Sequence, residues 1–361
     1  MAYTIQTNSK MTIKVLTYNV LSHKLARPTH FTKCPSQDLI PAVRYKRVIK
    51  KLDYSIKENH IICLQEVSHE WRSRFTSYFE SNNYHFSCVN YSKPMTGYMG
   101  VGIAYPRDKY ILKDMYIKTV SDLKRWPQYS HTTTDTLKSW AFWTPLPTYY
   151  SWNYMKNKSN QIICMALEVK NTKKEFLVAN YHMPCAFSYD DIMVSHVAMC
   201  MKYIHDISGG LPCIFAGDFN GQPFSKVYKY VTEGVYDDSI FEGFPSSDKW
   251  RPQKTPTYLF KSSHNEVNKL EPNYTNYTFS KGSMFKGCLD YIFYKGDIKP
   301  TFSHVISASR DLQPSKKEPS DHLALVSHFE FLSDVHTDLT KDIEKEQEKE
   351  QVKQEIEEDK E

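Results

Sequence analysis

The chain has 361 residues, 40% of them hydrophobic and 24% charged, with a formal net charge of +5 at pH 7. That length predicts one large α/β domain with a tail, or two smaller domains. No apolar run reaches about 18 residues and the first ten residues lack an apolar stretch, so a soluble, non-secreted protein with no membrane partner is expected.

In chain order, residues 1–11 read as an N-terminal extension and 12–331 as the folded domain. Short runs rich in Ile, Val, Phe and Tyr predict strands at 13–19, 61–66, 101–105, 162–169, 176–182, 214–220, 289–294 and 323–329. Longer amphipathic stretches predict helices at 42–57, 69–81 and 190–206. Strands alternating with helices, together with adjacent strand pairs, predict a layered α/β sandwich.

Residues 121–158 break this rhythm. They gather Trp126, Trp140, Trp143, Tyr149, Tyr150, Trp152 and Tyr154 among polar residues and Pro without a clear period. Two readings stand: a surface insertion offering stacking platforms for unpaired bases, or core packing. Residues 332–361 read as a charged tail, a solvated helix or disordered. Positions 334–361 hold 12 acidic and 5 basic residues, which leaves +12 on residues 1–333. A basic body suits a polyanionic partner or ordinary solubility.

The 8 cysteines (34, 63, 88, 164, 185, 200, 213 and 288) form no C-x-x-C pair, and most sit in apolar runs such as Ile61-Ile62-Cys63-Leu64. Buried, reduced thiols in a cytoplasmic or nuclear protein are expected, without a disulfide framework or a zinc site.

Several predicted strands begin or end on polar groups that a buried strand would not carry for packing alone. These are Asn19, Glu66, His182, Asp218 with Asn220, Asp290, and the pair Asp321-His322. Asp218 and Asn220, two apart, would face the same way on an extended chain. Singly, Asp218 and Asn220 read as turn formers beside Gly217 and Gly221, and His182 as a strand terminator. Jointly, carboxylates at converging strand ends would repel one another unless a cation neutralises them. Oxygen donors suit Mg²⁺ or Mn²⁺, which lowers the pKa of bound water and polarises a phosphoryl oxygen.

Leu-Thr-Tyr-Asn-Val-Leu (16–21), Leu-Gln-Glu-Val (64–67), Gly-Asp-Phe-Asn (217–220), Leu-Asp-Tyr-Ile-Phe-Tyr (289–294) and Ser-Asp-His (320–322), in this order, resemble the endonuclease/exonuclease/phosphatase superfamily. The stretches 217–230 and 274–294 are similar to its carbon catabolite repressor-type deadenylase branch, which includes nocturnin and the angel proteins. The resemblance implies a four-layer α/β/β/α sandwich of the DNase I-like type. It implies Glu66 as the principal metal ligand, with Asn19 nearby and Asp321 contributing, and Asp218 as the group that orients or deprotonates the attacking water. Asn220 would hold the scissile phosphate, His182 and His322 would contact its oxygens, and Asp290 would orient a histidine. Phe285 falls where that branch sets an aromatic ring against a base. After His182 the branch places a tryptophan and then a proline, whereas this chain runs Met183-Pro184-Cys185-Ala186-Phe187, so Phe187 is the candidate replacement.

The expected function is a Mg²⁺-dependent 3′-5′ exoribonuclease acting on single-stranded RNA, with poly(A) favoured. Docking through a leucine-rich-repeat module is not expected. Other phosphoesterases of the same fold remain alternatives: a DNA endonuclease, a 2′,5′-phosphodiesterase, or a phosphatase on a nucleotide cofactor or lipid headgroup. A scaffold that no longer cleaves is a third class, disfavoured because the acidic and histidine positions are all present.

Overall fold

A computed structural model describes residues 12–126, 154–241 and 251–332. In chain order its strands and α-helices are β1 (Ile13–Asn19), α1 (Pro41–Lys57), β2 (Ile61–Val67), α2 (His69–Ser81), β3 (Tyr84–Asn90), β4 (Gly100–Pro106), β5 (Tyr110–Thr119), β6 (Gln161–Val169), β7 (Glu175–His182), α3 (Asp190–Ser208), β8 (Cys213–Asp218), α4 (Lys226–Glu233), β9 (Lys261–Ser262), α5 (Ser263–Asn268), β10 (Asn276–Ser280), β11 (Ser283–Gly287), β12 (Asp290–Lys295), β13 (Ile298–Ile306) and β14 (Ala324–Phe331). The first sheet runs β13-β14-β1-β2-β4-β3 and the second β5-β6-β7-β8-β12-β9, while β10 and β11 form a separate hairpin.

Side-chain alternation along the strands builds the layers. Ile13, Val15, Ile61 and Cys63 from the first sheet meet Ile163, Val178, Ile214 and Ile292 from the second, forming the apolar filling between them. The opposite faces of β1 and β2, with Leu16, Tyr18, Ile62 and Leu64, pack under α1 and α2. Phe215, Tyr181 and Phe293 pack the outer face of the second sheet under α3 and α4. The result is the expected four-layer α/β/β/α sandwich.

The helices dock by spacing. In α2, Trp71, Phe75 and Phe79 recur every fourth position and are fully buried, each contributing about 2–3 kcal/mol of apolar burial. In α1, Pro41 occupies the first turn and Arg44, Val48, Leu52 and Ser55 form the buried face. Gly209, in the left-handed region at φ 56°, terminates α3. Among the described residues no helix is long and apolar enough to cross a membrane.

The stretch 1–11, the tail from 333 onward, and Trp140, Trp143, Tyr149, Tyr150 and Trp152 lie outside the described residues. Trp126 is half-buried, donates its indole N–H to the Ser121 carbonyl at 2.7 Å and packs against the second sheet's outer core.

Candidate active site

Each sheet contains one parallel pair, β1 with β2 and β7 with β8; the other pairings are antiparallel. Each parallel pair is joined through a helix, α1 or α3, and in such units the space beyond the carboxyl ends of the strands is open to ligands. Asn19 ends β1, Glu66 lies at the end of β2, and His182 and Asp218 end β7 and β8. Antiparallel β12 begins there with Asp290, directly opposite Asp218. His322 precedes β14, which runs antiparallel to β1.

Glu66 reaches the cleft by a backbone irregularity. Ile62 and Leu64 face the helices, and an undisturbed strand would send Glu66 after them. Instead the β2–β4 register shifts between Leu64 and Val67, and Glu66 takes φ 57°. A left-handed non-glycine residue costs about 1–2 kcal/mol. Hydrogen bonds offset it: the Ser22 backbone N–H donates to Glu66 Oε2 at 2.8 Å, and Asn19 Nδ2 to Oε1 at 3.2 Å.

Asn19 also donates to Asp218 Oδ2 at 3.0 Å, while its side-chain carbonyl accepts from the Leu21 N–H at 2.9 Å. Asn19, expected near the metal, thus turns its N–H groups toward Glu66 and Asp218 and bridges the two carboxylates. Asn220 also departs from expectation. The strand stops at Asp218, and Asn220 sits at φ 48°, so the two side chains do not share one extended face. Asp218 Oδ1 accepts the Asn220 backbone N–H at 2.9 Å, and Asn220 Nδ2 donates to the Met183 carbonyl at 2.8 Å.

Two imidazoles flank Asp218. His182 Nε2 and His322 Nε2 lie 3.5 and 3.6 Å from Asp218 Oδ2, but their partners differ. His322 Nδ1 donates to Asp290 Oδ2 at 2.8 Å, and Thr275 Oγ1 donates to the same oxygen at 2.6 Å. Burial works against charge on His322, yet Asp290 and Asp218 outweigh it and hold the imidazole protonated well above its ordinary range. Burial pushes the Asp290 carboxyl up to about 6 against the pull of His322, with Asp218 adding to the rise. His182 Nδ1 instead lies 3.0 Å from the Tyr91 hydroxyl, a phenol kept neutral by burial and by the charges of Glu66 and Asp218.

Asp321 is half-buried, 3.4 Å from the Ser320 hydroxyl, and its charge acts on Arg44 and His322. Arg44 is fully buried and ties the cleft loops together. Its Nε donates to the Pro319 carbonyl, and one Nη donates to the carbonyls of Val20 and Leu21. Phe285 is half-buried on β11, its ring edge against Gly287 beside the Gln222 amide. Phe187 is exposed on the loop after His182. Tyr91, Thr275, Arg44 and the Ser22 N–H escape sequence reasoning because each acts through a motif residue from outside the motif. For Arg44, a charge on the apolar stripe of a predicted helix is the signal that could have found it.

Two buried carboxylates sharing one neutral amide are short of positive charge. Ligand atoms of Asp218, Asp290 and His322 lie within 4.8 Å of one another, but the protonated imidazole offers a cation no lone pair, so in this group only the carboxylate oxygens can face one, among them Asp290 Oδ1, buried without a hydrogen-bond partner among the described residues. Hard oxygen donors of this kind fit a divalent cation such as Mg²⁺ or Mn²⁺.

A two-sheet sandwich flanked by helices, with acidic and imidazole groups converging beyond its parallel strands, defines the class of metal-dependent phosphoesterases. The Endonuclease/Exonuclease/phosphatase family profile matches residues 16–322, and the chain belongs to this family of divalent-metal-dependent phosphoester hydrolases. Over 167 residues, 44% of this chain and 26% of the relative, it is 31% identical to 2′,5′-phosphodiesterase 12 of Homo sapiens. Over 354 residues, 89% of this chain and 41% of the relative, it is 24% identical to the CCR4-Not complex 3′-5′-exoribonuclease subunit Ccr4 of Kluyveromyces lactis. The chain thus spans well under two thirds of these relatives' lengths. Among solved structures, ANGEL2, a 2′,3′-cyclic phosphatase, superposes with a TM-score of 0.66 at 19% identity, covering 90% of this chain and 96% of that one. The human nocturnin catalytic domain gives 0.59 at 19% identity with the same coverage. These structural likenesses establish the fold.

Proposed function

We propose that the chain is a Mg²⁺-dependent phosphodiesterase that shortens single-stranded RNA from its 3′ end, favouring poly(A) and releasing 5′-nucleotides. The observation that carries the chemistry is Asp218: a buried carboxylate flanked by two imidazoles and linked through Asn19 to Glu66. The likeness to the Ccr4 exoribonuclease over 89% of the chain supports RNA as substrate, and so does Phe285 on the hairpin beside Gln222.

In this reading Glu66 holds the cation, with Asp321 contributing, and the cation supplies charge neutralisation and polarisation of a phosphoryl oxygen. Asp218 accepts the proton of the attacking water. The His322 imidazolium, kept charged by Asp290, stabilises negative charge developing on phosphate oxygens, and His182 contacts the same group. The Asn220 amide holds the scissile phosphate, while Phe285 and Phe187 place bases.

Incubation of the purified chain with 3′-tailed RNA and Mg²⁺ tests this. A ladder of progressively shortened strands with 5′-nucleotide products is expected; internal cuts, or no shortening of any single-stranded RNA, would overturn it. The 31% identity to 2′,5′-phosphodiesterase 12 favours a second reading, hydrolysis of 2′,5′-linked adenylates. Turnover of 2′,5′- against 3′,5′-linked triadenylate separates the two.

A further inference from the structure

Beyond the catalytic pocket, the loops that follow His182 and Asp218 expose large aromatic side chains. Tyr189 is 52% and Phe224 78% exposed, and Tyr154, from the segment leading into β6, is 44% exposed. Exposed Phe and Tyr carry no folding advantage, and several on one rim ask for a ligand. Phe224 also sits at φ 66°, where a bulky side chain is strained by about 1–3 kcal/mol. Hydrogen bonding holds that turn in place: the Ser225 N–H donates to the Gln222 carbonyl at 3.0 Å, and Ser225 caps α4.

Three contacts put these residues on one rim next to the catalytic groups. The Tyr154 and Tyr189 rings lie 6.0 Å apart, and the Lys158 ammonium sits 3.6 Å from the Tyr154 ring centroid. Asn160 Nδ2 donates to the His182 carbonyl at 2.8 Å, tying the Tyr154 segment to a candidate catalytic residue. Lys226 pairs with Asp190 at 2.9 Å, which joins the start of α4, two residues after Phe224, to the start of α3, one residue after Tyr189. Cys185, on the loop after His182, is exposed. Burial, Asp218 and Glu66 push its thiol up to about 11, and Lys281 and Lys158 pull the other way.

We infer that Tyr154, Tyr189 and Phe224, with Lys158, form a stacking track for the unpaired bases of a single-stranded nucleic acid that extends beyond the nucleotide at the scissile phosphate. The inference rests on the nuclease reading and deepens it: the substrate is a strand several nucleotides long, not a small phosphate ester. Ring faces accept any base, and an ammonium beside a ring suits the strand's phosphates.

The test compares the full chain with the double variant Tyr154→Ala, Tyr189→Ala, with Phe224→Ala and with Tyr189→Trp. Binding of a labelled oligoadenylate of about 12 nucleotides is read by anisotropy in EDTA, and cleavage of that strand and of a diadenylate is read in Mg²⁺. The double alanine variant should weaken strand binding and raise its KM about tenfold, and Phe224→Ala about threefold. Diadenylate kinetics and the thermal midpoint should stay unchanged, and Tyr189→Trp should keep wild-type affinity. Unchanged strand affinity in both alanine variants, or a wild type that does not bind the strand, overturns the track. Should the double variant unfold, Phe224→Ala and Tyr189→Trp decide alone. Strand binding that the variants weaken, without any cleavage by the wild type, would overturn the nuclease reading and leave the track standing.

Discussion

The two parallel units, β1-α1-β2 and β7-α3-β8, occupy equivalent places in the two sheets yet end differently. The first closes on backbone and buried charge: Ser22 N–H and Asn19 grip Glu66, and Arg44 locks the loop after β1 to the loop before Asp321. The second closes on imidazole and carboxylate, and its loops carry exposed Phe187, Tyr189 and Phe224. One unit holds fixed negative charge, and the other is the one we propose meets a strand. The same supersecondary device thus divides labour through the loops at its strand ends, while the strands themselves stay alike.

Substituting one carboxylate in each unit tests this division hardest. Glu66→Gln and Asp218→Asn should each lower kcat by about 10³-fold, within the range of a lost acid–base or charge-stabilising group. A Mg²⁺ titration then separates them: the half-saturating concentration rises about tenfold in Glu66→Gln and stays within about twofold in Asp218→Asn. Equal titrations would erase the distinction between the units. A smaller loss is expected for Asp290→Asn, about 10²-fold in kcat with KM unchanged, because His322 keeps its place but loses the anion that holds it protonated. Arg44→Met removes the cation that satisfies three buried carbonyls. Urea unfolding should show a loss of about 3 kcal/mol; a loss below about 1 kcal/mol would show that the first unit holds its loop by other means.

Acid stability probes both helix-covered faces. Burial, with the charge of His328 adding to it, lowers His60 to about 4, and burial lowers His196 to about 3. Both folded values lie below the unfolded one, so this stability is present above about pH 6.5. It is lost as pH falls toward 4 and below, because the unfolded chain takes up protons that the fold refuses. Unfolding free energy measured between pH 7 and 4 should fall with a slope near one proton per histidine, and His60→Gln with His196→Gln should flatten it. The smallest effect is expected from deleting residues 334–361, which should leave turnover within about twofold.

The sequence was most legible where a strand is apolar and buried on both faces or a helix carries a regular apolar stripe. The spans 13–19 and 69–81 match β1 and α2 as formed, and 61–66 and 176–182 match β2 and β7 to within one residue. β3, β5 and β13 went unread because they lie at or next to sheet edges, with one face open to solvent; Tyr110–Thr119 is exposed or half-buried after Tyr110. The hairpin of β10 and β11 is short and mostly polar, with no period to detect. At the site, residue types and order were legible, and the structure gathers Asn19, Glu66, His182, Asp218, Asp290 and His322 around one cleft. The left-handed turn at Glu66 was not legible, since glutamate does not advertise a positive φ; that at Asn220 suits a residue type that tolerates this region, but the extended reading of 214–220 hid it. Nor were Tyr91 and Thr275, whose partners lie 91 and 15 positions away.

Gly217 sits between Ala216 and Asp218, and the space a Cβ would take there is filled by the carbonyl oxygen of Tyr181, 1.9 Å away. The neighbouring strands can lie this close only because a methyl group is missing, and the reach between His182 and Asp218 is set by that omission. A saturation screen scored on turnover would therefore rank position 217 with the proton-transferring groups, although it contributes no chemistry of its own.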